Sequence, residues 1–280
     1  MADSRDFIQE LLLSAERTAL LYHLSFVCLG KFPKLEYLIR EQAIETHLLF
    51  RSSEAVLMKC VDMISNLVTS LFPLITEAIE NNKPVLAVKY LGNAKTWISD
   101  IISTVDDMVK RYEQQAQRVE TCIGDVFKEQ IETEEKLRKH FVEMKALEDA
   151  LVKLKLELNN GLRNQEWDIK IRQIDLQMKL ANCKIQPGEI PDPVHLKEVQ
   201  KCLDRIRHIL VDLNKFWEKV AVMLEALKVE TVFLEDLIKE LEDMKEEILQ
   251  SIEDTKQKWK RFGEVCQNAQ DIFSVQSKCL

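Results

Sequence analysis

The side chains that most often carry catalysis or hold metals are few in this sequence and badly spaced for either. Histidines stand at 23, 47, 140, 195 and 208, and cysteines at 28, 60, 122, 183, 202, 266 and 279. A zinc site needs such residues in close pairs, and no two cysteines form a CxxC. The six glycines build neither a GxGxxG nor a GxxxxGK[S/T] cradle for phosphate, and GxSxG and HExxH are absent. Clustered carboxylates such as Glu132, Glu134 and Glu135 have the look of a solvated helix face. The expectation is a protein that is not an enzyme, with no cofactor, no metal site and no small-molecule substrate.

The bulk properties narrow the partners. A formal net charge of −8 gives no concentrated basic face, so nucleic acid is not expected. An odd, scattered set of cysteines reads as reduced thiols in the cytoplasm. The opening "MADSRDFIQELLL" lacks the basic-then-apolar order of a signal peptide. The expected location is therefore cytoplasmic, with membrane association only under some condition.

The elements themselves are written in long repeats. Proline is missing from 85–186 and from 194–280, which suits long helices, and 31% charged with only 7% aromatic residues suits a coiled-coil-like bundle. In the last third, Val199, Leu203, Ile206, Leu210, Leu213, Trp217, Val220, Leu224, Leu227, Thr231, Leu234, Ile238 and Leu241 alternate steps of four and three. This is a heptad seam. The rhythm slips around Leu241, Met244 and Ile248 and resumes through Ile252, Thr255, Trp259, Phe262 and Cys266, a change expected to rewind the helix locally without ending it. A single helix over about 194–273 would be roughly 120 Å long. The core seam is assigned to Leu203, Ile206, Leu210, Leu213, Trp217, Val220, Leu224, Leu227 and Trp259.

Similar rhythm runs through Ile98, Ile102, Val105, Val109, Tyr112, Ala116, Val119, Ile123 and Val126, after Pro84 and the turn-like "ENNK". Leu35 to Glu80 forms another helical region, with a kink expected near Leu71 from Pro73. The first helix, about Asp3 to Leu29, ends at "GKFP". Between the longest helices, "LKLEL" (154–158) and "WDIKI" (167–171) alternate apolar and polar residues around Asn-Gly. That stretch fits a loose β-hairpin, although Trp167, Ile171, Ile174 and Met178 also fit a helix. The fold class is all-α, an elongated bundle of long antiparallel helices with a hairpin or helical head inserted between the two longest. Residues 1–151 and 194–280 are expected to form the bundle and 152–193 the head and its loop.

Two segments test for lipid. "MISNLVTSLFPLIT" (63–76) runs 14 residues without a charge, short of the roughly 20 that a span requires. It reads as a buried helix. The first helix is apolar around much of its girth, with Phe7, Ile8, Leu11, Leu12, Ala15, Ala19, Tyr22 and Phe26 along one face and Leu13, Leu20, Leu21 and Leu24 widening it. Such a helix is either sealed between neighbours or stored against a bundle for later transfer to a bilayer.

The order of these parts resembles the cytolysin A-like α-helical pore-forming toxins, the group of the haemolysin BL and non-haemolytic enterotoxin components. "LNKFWEKVAVMLEAL" (213–227) is similar to the returning helix of that group. The resemblance implies a tongue at about Val152 to Ala181 that touches lipid and a first helix that converts into pore wall. The membrane contacts it implies are Phe7, Ile8, Leu11, Leu12, Tyr22, Phe26, Trp167, Ile169, Ile171 and Ile174. It also implies a self-assembling, membrane-active protein whose partners are further copies of itself and a lipid membrane. A cytosolic coiled-coil scaffold, binding other proteins through its heptad faces and without membrane activity, is the competing expectation.

Overall fold

The computed structural model of the chain describes residues 4–30, 32–159, 171, 173–175, 177–178, 190–237 and 242–279. Every regular element among them is helical: α1 (Ser4–Leu29), α2 (Pro33–Asn66), a π-helical turn (Leu67–Leu71), α3 (Phe72–Glu80), α4 (Pro84–Asn159), α5 (Val194–Leu237) and α6 (Glu242–Gln276).

The breaks follow from single residues. α1 stops where the Gly30 N–H closes onto the Phe26 carbonyl at 2.7 Å. A Cβ on Gly30 would lie 2.5 Å from that oxygen, so only glycine fits. Pro33 then opens α2 with its φ already set. At the position where Pro73 predicts a kink, the helix passes through the π turn. The Phe72 N–H bonds the Leu67 carbonyl, a wider loop that absorbs the proline ring and its missing donor. α3 ends at Asn81 and Asn82. Asn82 takes a φ of 53°, a left-handed turn that asparagine tolerates, and Lys83 N–H returns to Ala78 O at 2.8 Å.

The chain divides into two compact units, residues 1–122 with 194–280, and residues 123–193. In the first, cross-helix pairs fix the directions. Lys95 with Glu225 and Asn214 with Asp106 set α4 antiparallel to α5. Tyr112 with Ser53 and Arg118 with Glu45 set it antiparallel to α2. Phe50 against Phe273 and Phe72 against Trp259 lay α6 antiparallel along α2 and α3. In the second unit, Gln130 Nε2 donates to the carbonyl of Ile190 at 3.1 Å, and Ile190 is buried.

Two expectations are corrected. The expected unbroken helix over 194–273 is two helices. Trp217 meets Trp259 and Met223 meets Thr255, so advancing along α5 means retreating along α6. The reversal falls between Leu237, where α5 ends, and Glu242, where α6 begins, and the two halves of one seam face each other. The seam therefore closes within the chain. The second correction concerns the first strand of the expected hairpin, because residues 154–158 are the end of α4. Leu147, Leu151, Leu154 and Leu158 keep steps of four, three and four, so the helix period wins over the local alternation. Beyond it, Ile171, Gln173, Ile174, Asp175, Gln177 and Met178 are helical. The remainder of that expected hairpin, including Trp167 and Ile169, lies outside the described residues.

Candidate functional site

The seat of α1 is where the chain departs most from ordinary helix packing. Ion pairs of Arg17 with Glu198 at 3.4 Å and of Glu10 with Arg205 lay α1 antiparallel to α5. The face turned inward is centred on Leu11, Ala15, Thr18, Tyr22, Ser25 and Leu29, each at most 3% exposed. Half of these positions are polar.

Their polar groups are satisfied in two ways. Thr18 and Ser25 turn their hydroxyls back onto the carbonyls of Ser14 and Leu21, both at 2.7 Å. Tyr22 Oη meets Thr46 Oγ1 at 2.9 Å, and Gln115 Nε2 lies 3.2 Å from Thr46 Oγ1, Gln42 Oε1 and the Gln42 carbonyl. One buried cluster thus joins α1, α2 and α4. A second bond, Ser53 to Tyr112 at 2.9 Å, ties α2 to α4, where burial raises the Tyr112 phenol well above its ordinary pKa and the serine only partly offsets this. Beside α1, burial also raises the Cys202 thiol, opposed by Arg17 and Thr18. A hydrogen bond from Lys201, joined by the charges of Lys201 and Arg17, holds Glu198 below the usual carboxylate range.

The outward face of α1 is apolar. Leu13 is 51% exposed, Leu20 58% and Val27 58%, at intervals of seven residues. Phe26 is also exposed and lies under the Arg40 guanidinium at 5.9 Å. Apolar surface is thus left in water while hydroxyls occupy the core.

A second stretch has similar character. The continuous helical run Pro33–Glu80 holds an 18-residue window apolar and uncharged enough to cross a bilayer by length and composition, and 33% of that window is buried. In 63–76, Ile64, Leu67, Leu71, Phe72 and Ile75 are buried, whereas Leu74 is exposed.

The residues singled out from sequence are distributed unevenly. Leu11 and Tyr22 face inward, Ile8 and Leu12 are half-buried, and Phe26 is exposed. The side chain of Phe7, with Trp167 and Ile169, is outside the described residues, and Ile171 and Ile174 are half-buried. Leu203, Ile206, Leu210, Leu213, Trp217, Val220, Leu224, Leu227 and Trp259 are all buried. Sequence reasoning missed Val27 and treated Leu13 and Leu20 as mere widening of the apolar face. Their spacing of seven was the available signal. It also missed Val142 of the second unit, which is 63% exposed, and took Phe141, which is 70% exposed, as one step of the rhythm Leu137, Phe141, Met144, Leu147 and Leu151.

No protein-family profile matches the chain, and no curated protein sequence does either. Solved structures do. Soluble SmhA of the tripartite α-pore forming toxin Smh from Serratia marcescens is similar with a TM-score of 0.59 at 12% identity, over 96% of this chain and 94% of that one. The Bacillus cereus HblL1 toxin component is similar with a TM-score of 0.52 at 10% identity, over 93% of this chain and 95% of that one. At such identities the likeness is one of fold alone, a fold that the chain shares with SmhA and the HblL1 component.

Proposed function

We propose that the chain is a non-enzymatic, self-assembling, membrane-active protein of the α-helical pore-forming type, in which α1 leaves its seat and enters lipid. The observation that carries this reading is the two-sided apolar character of α1, with Thr18, Tyr22 and Ser25 interleaved with leucines inside and Leu13, Leu20 and Val27 outside. Moving a large apolar side chain fully from water to an apolar phase is worth ~1.5–3 kcal/mol, and each of these three stands to gain roughly half of that. What release gives up at the polar cluster is smaller, about 1 kcal/mol net per hydrogen bond. A bilayer therefore offers the outward face a gain that water does not, while the polar cluster and the buried Leu11, Leu21 and Leu29 hold α1 in the bundle.

The fold supports the same reading, since SmhA and HblL1 are toxin components and SmhA belongs to an α-pore forming assembly. The apolar window within Pro33–Glu80 offers a further segment for the membrane-bound form. A scaffold would use its heptads between chains, whereas the aromatic layer of α5 and α6 closes within one.

Tracer leakage from liposomes, with co-sedimentation on the same vesicles, tests the proposal. Leu13→Asp with Leu20→Asp changes only exposed positions, so the soluble fold keeps its helix content and melting temperature. Vesicle binding and leakage are expected to fall at least about tenfold, because two carboxylates on the lipid-seeking face oppose insertion. Full leakage by the double variant overturns the role of α1. Failure of the native protein to bind or permeabilise vesicles of any composition overturns the membrane reading and favours the scaffold.

A further inference from the structure

α2 carries two heptad seams. The inner one, Leu35, Ile39, Gln42, Thr46, Leu49, Ser53, Leu57, Cys60 and Ile64, is buried in the first unit. The outer one, Tyr37, Glu41, Ile44, Leu48, Arg51 and Ala55, keeps the same alternating steps of four and three and faces water throughout. Tyr37 is 69% exposed, Ile44 53% and Leu48 47%. A solvated helix face has no need of this pattern, and a seam without a partner is the usual mark of a helix that pairs with another chain.

The sequence of the outer seam says what that other chain is. In heptad terms Tyr37, Ile44 and Arg51 occupy one kind of core position and Glu41, Leu48 and Ala55 the other. In an antiparallel pair each kind packs against the opposite kind. A second copy of α2 laid antiparallel, with the two-fold axis level with Thr46, sets Tyr37 on the partner's Ala55, Ile44 on the partner's Leu48 and Arg51 on the partner's Glu41. Every layer is then complementary: a large ring over a methyl group, two branched aliphatics, and a cation with an anion, each occurring twice by symmetry. The parallel arrangement would instead stack Arg51 on Arg51 and Glu41 on Glu41. The charges also wait unpaired. Neighbouring Glu36 and Glu45 are engaged by Arg40 at 2.9 Å and Arg118 at 3.0 Å, but Glu41 and Arg51 have no ion-pair partner among the described residues.

We infer that the outer seam of α2 is an isologous dimer interface, occupied in solution by a second copy of this chain in antiparallel register. An isologous contact closes at two copies and does not propagate. It is therefore distinct from any ring-forming contact of a pore, and a scaffold with this helix would dimerise in the same way. The seam is about 27 Å long at ~1.5 Å per residue, which places it among small, reversible interfaces with a dissociation constant on the order of 1–100 μM.

Sedimentation velocity of the full chain from about 1 to 200 μM, spanning that range of affinity, reads the prediction directly. The native protein is expected to pass from monomer to dimer over this range. Glu41→Arg and Arg51→Glu, each alone, should weaken dimerisation at least about tenfold by placing like charges opposite each other. Their combination should restore affinity to within about threefold of the native chain. Restoration by the double swap is the signature of antiparallel register, since in a parallel dimer positions 41 and 51 never meet. Both sites of change are on the surface, so unaltered melting temperatures are expected to accompany the changes in affinity. A native chain monomeric at every concentration, a dimer indifferent to either single swap, or a double swap as weak as the singles each overturns the inference.

Discussion

The α5–α6 hairpin and the seat of α1 belong to the same compact unit and are built on the same heptad arithmetic, yet they are filled with different chemistry. Between α5 and α6, Trp217 stands edge-on to Trp259 at 5.4 Å and to Phe262 at 5.2 Å, and Phe216 stacks on Phe262 at 3.7 Å. The indole N–H groups of both tryptophans lack hydrogen-bond partners among the described residues. That desolvation cost, about 1–3 kcal/mol each, is borne by the large apolar area of the rings, so the layer depends on packing alone. Under α1 the core is mixed: Thr18, Tyr22 and Ser25 are hydrogen-bonded and share the buried face with Leu11, Leu21 and Leu29. One contact is strong and indifferent to geometry at the level of single hydrogen bonds. The other is specific and separable. Under the function proposed above, in which α1 leaves while α5 and α6 stay, the two kinds of core are matched to the two tasks.

Breaking the aromatic layer should have the largest effect. Trp217→Ala is expected to cost about 3–5 kcal/mol and to lower the midpoint of chemical denaturation of the whole first unit. A loss under 1 kcal/mol would erase the contrast between the two regions. Thr46→Val, at the centre of the cluster under α1, should cost about 1–3 kcal/mol by leaving Tyr22 and Gln115 short of a partner. Here the loss is expected to be local: amide exchange in α1 accelerates while the denaturation midpoint of α5 and α6 hardly moves. Equal acceleration in all three helices would show that α1 does not open by itself.

Smaller still is the expected effect of Leu20→Ala. With the side chain 58% exposed, stability should change by no more than about 0.5 kcal/mol, although the apolar area available to lipid falls. A cost above 2 kcal/mol would mean that the outward face is covered in solution. The least change should come from acidification. The folded form holds the Glu198 carboxylate below its ordinary pKa through Lys201 and Arg17. Its contribution is complete above the ordinary carboxylate range and is lost as pH falls through that range to the depressed value. Exchange protection of α1 should therefore weaken slightly below about pH 4, and Glu198→Gln should abolish that pH dependence. A transition near neutral pH would point to another group.

Much of this was legible in the sequence because periodicity is a local property of the chain. The seam from Leu203 to Leu227, the stop at Gly30 and the turn at Asn81 and Asn82 each follow from residue types at short spacing, and they yield an all-helical bundle without knowledge of any neighbour. Three decisions belonged to the tertiary structure. A slipped heptad at Leu241 reads equally as a rewound helix or as a reversal, and only the meeting of Trp217 with Trp259 selects the reversal. The alternation in 154–158 yielded to the helix because its leucines also continue the longer period of α4. The inward turn of α1 involves partners distant in sequence: Tyr22 bonds Thr46, which also accepts from Gln115, while Thr18 and Ser25 beside it satisfy their hydroxyls on carbonyls of α1 itself and Leu13, Leu20 and Val27 turn out. Hydrophobic pattern ranks faces by apolar content, so it placed Leu11, Ala15 and Tyr22 on the right side of the helix but passed over Thr18 and Ser25, which are buried beside them. A buried hydrogen bond depends on who stands opposite, and that information exists only once the helices are packed.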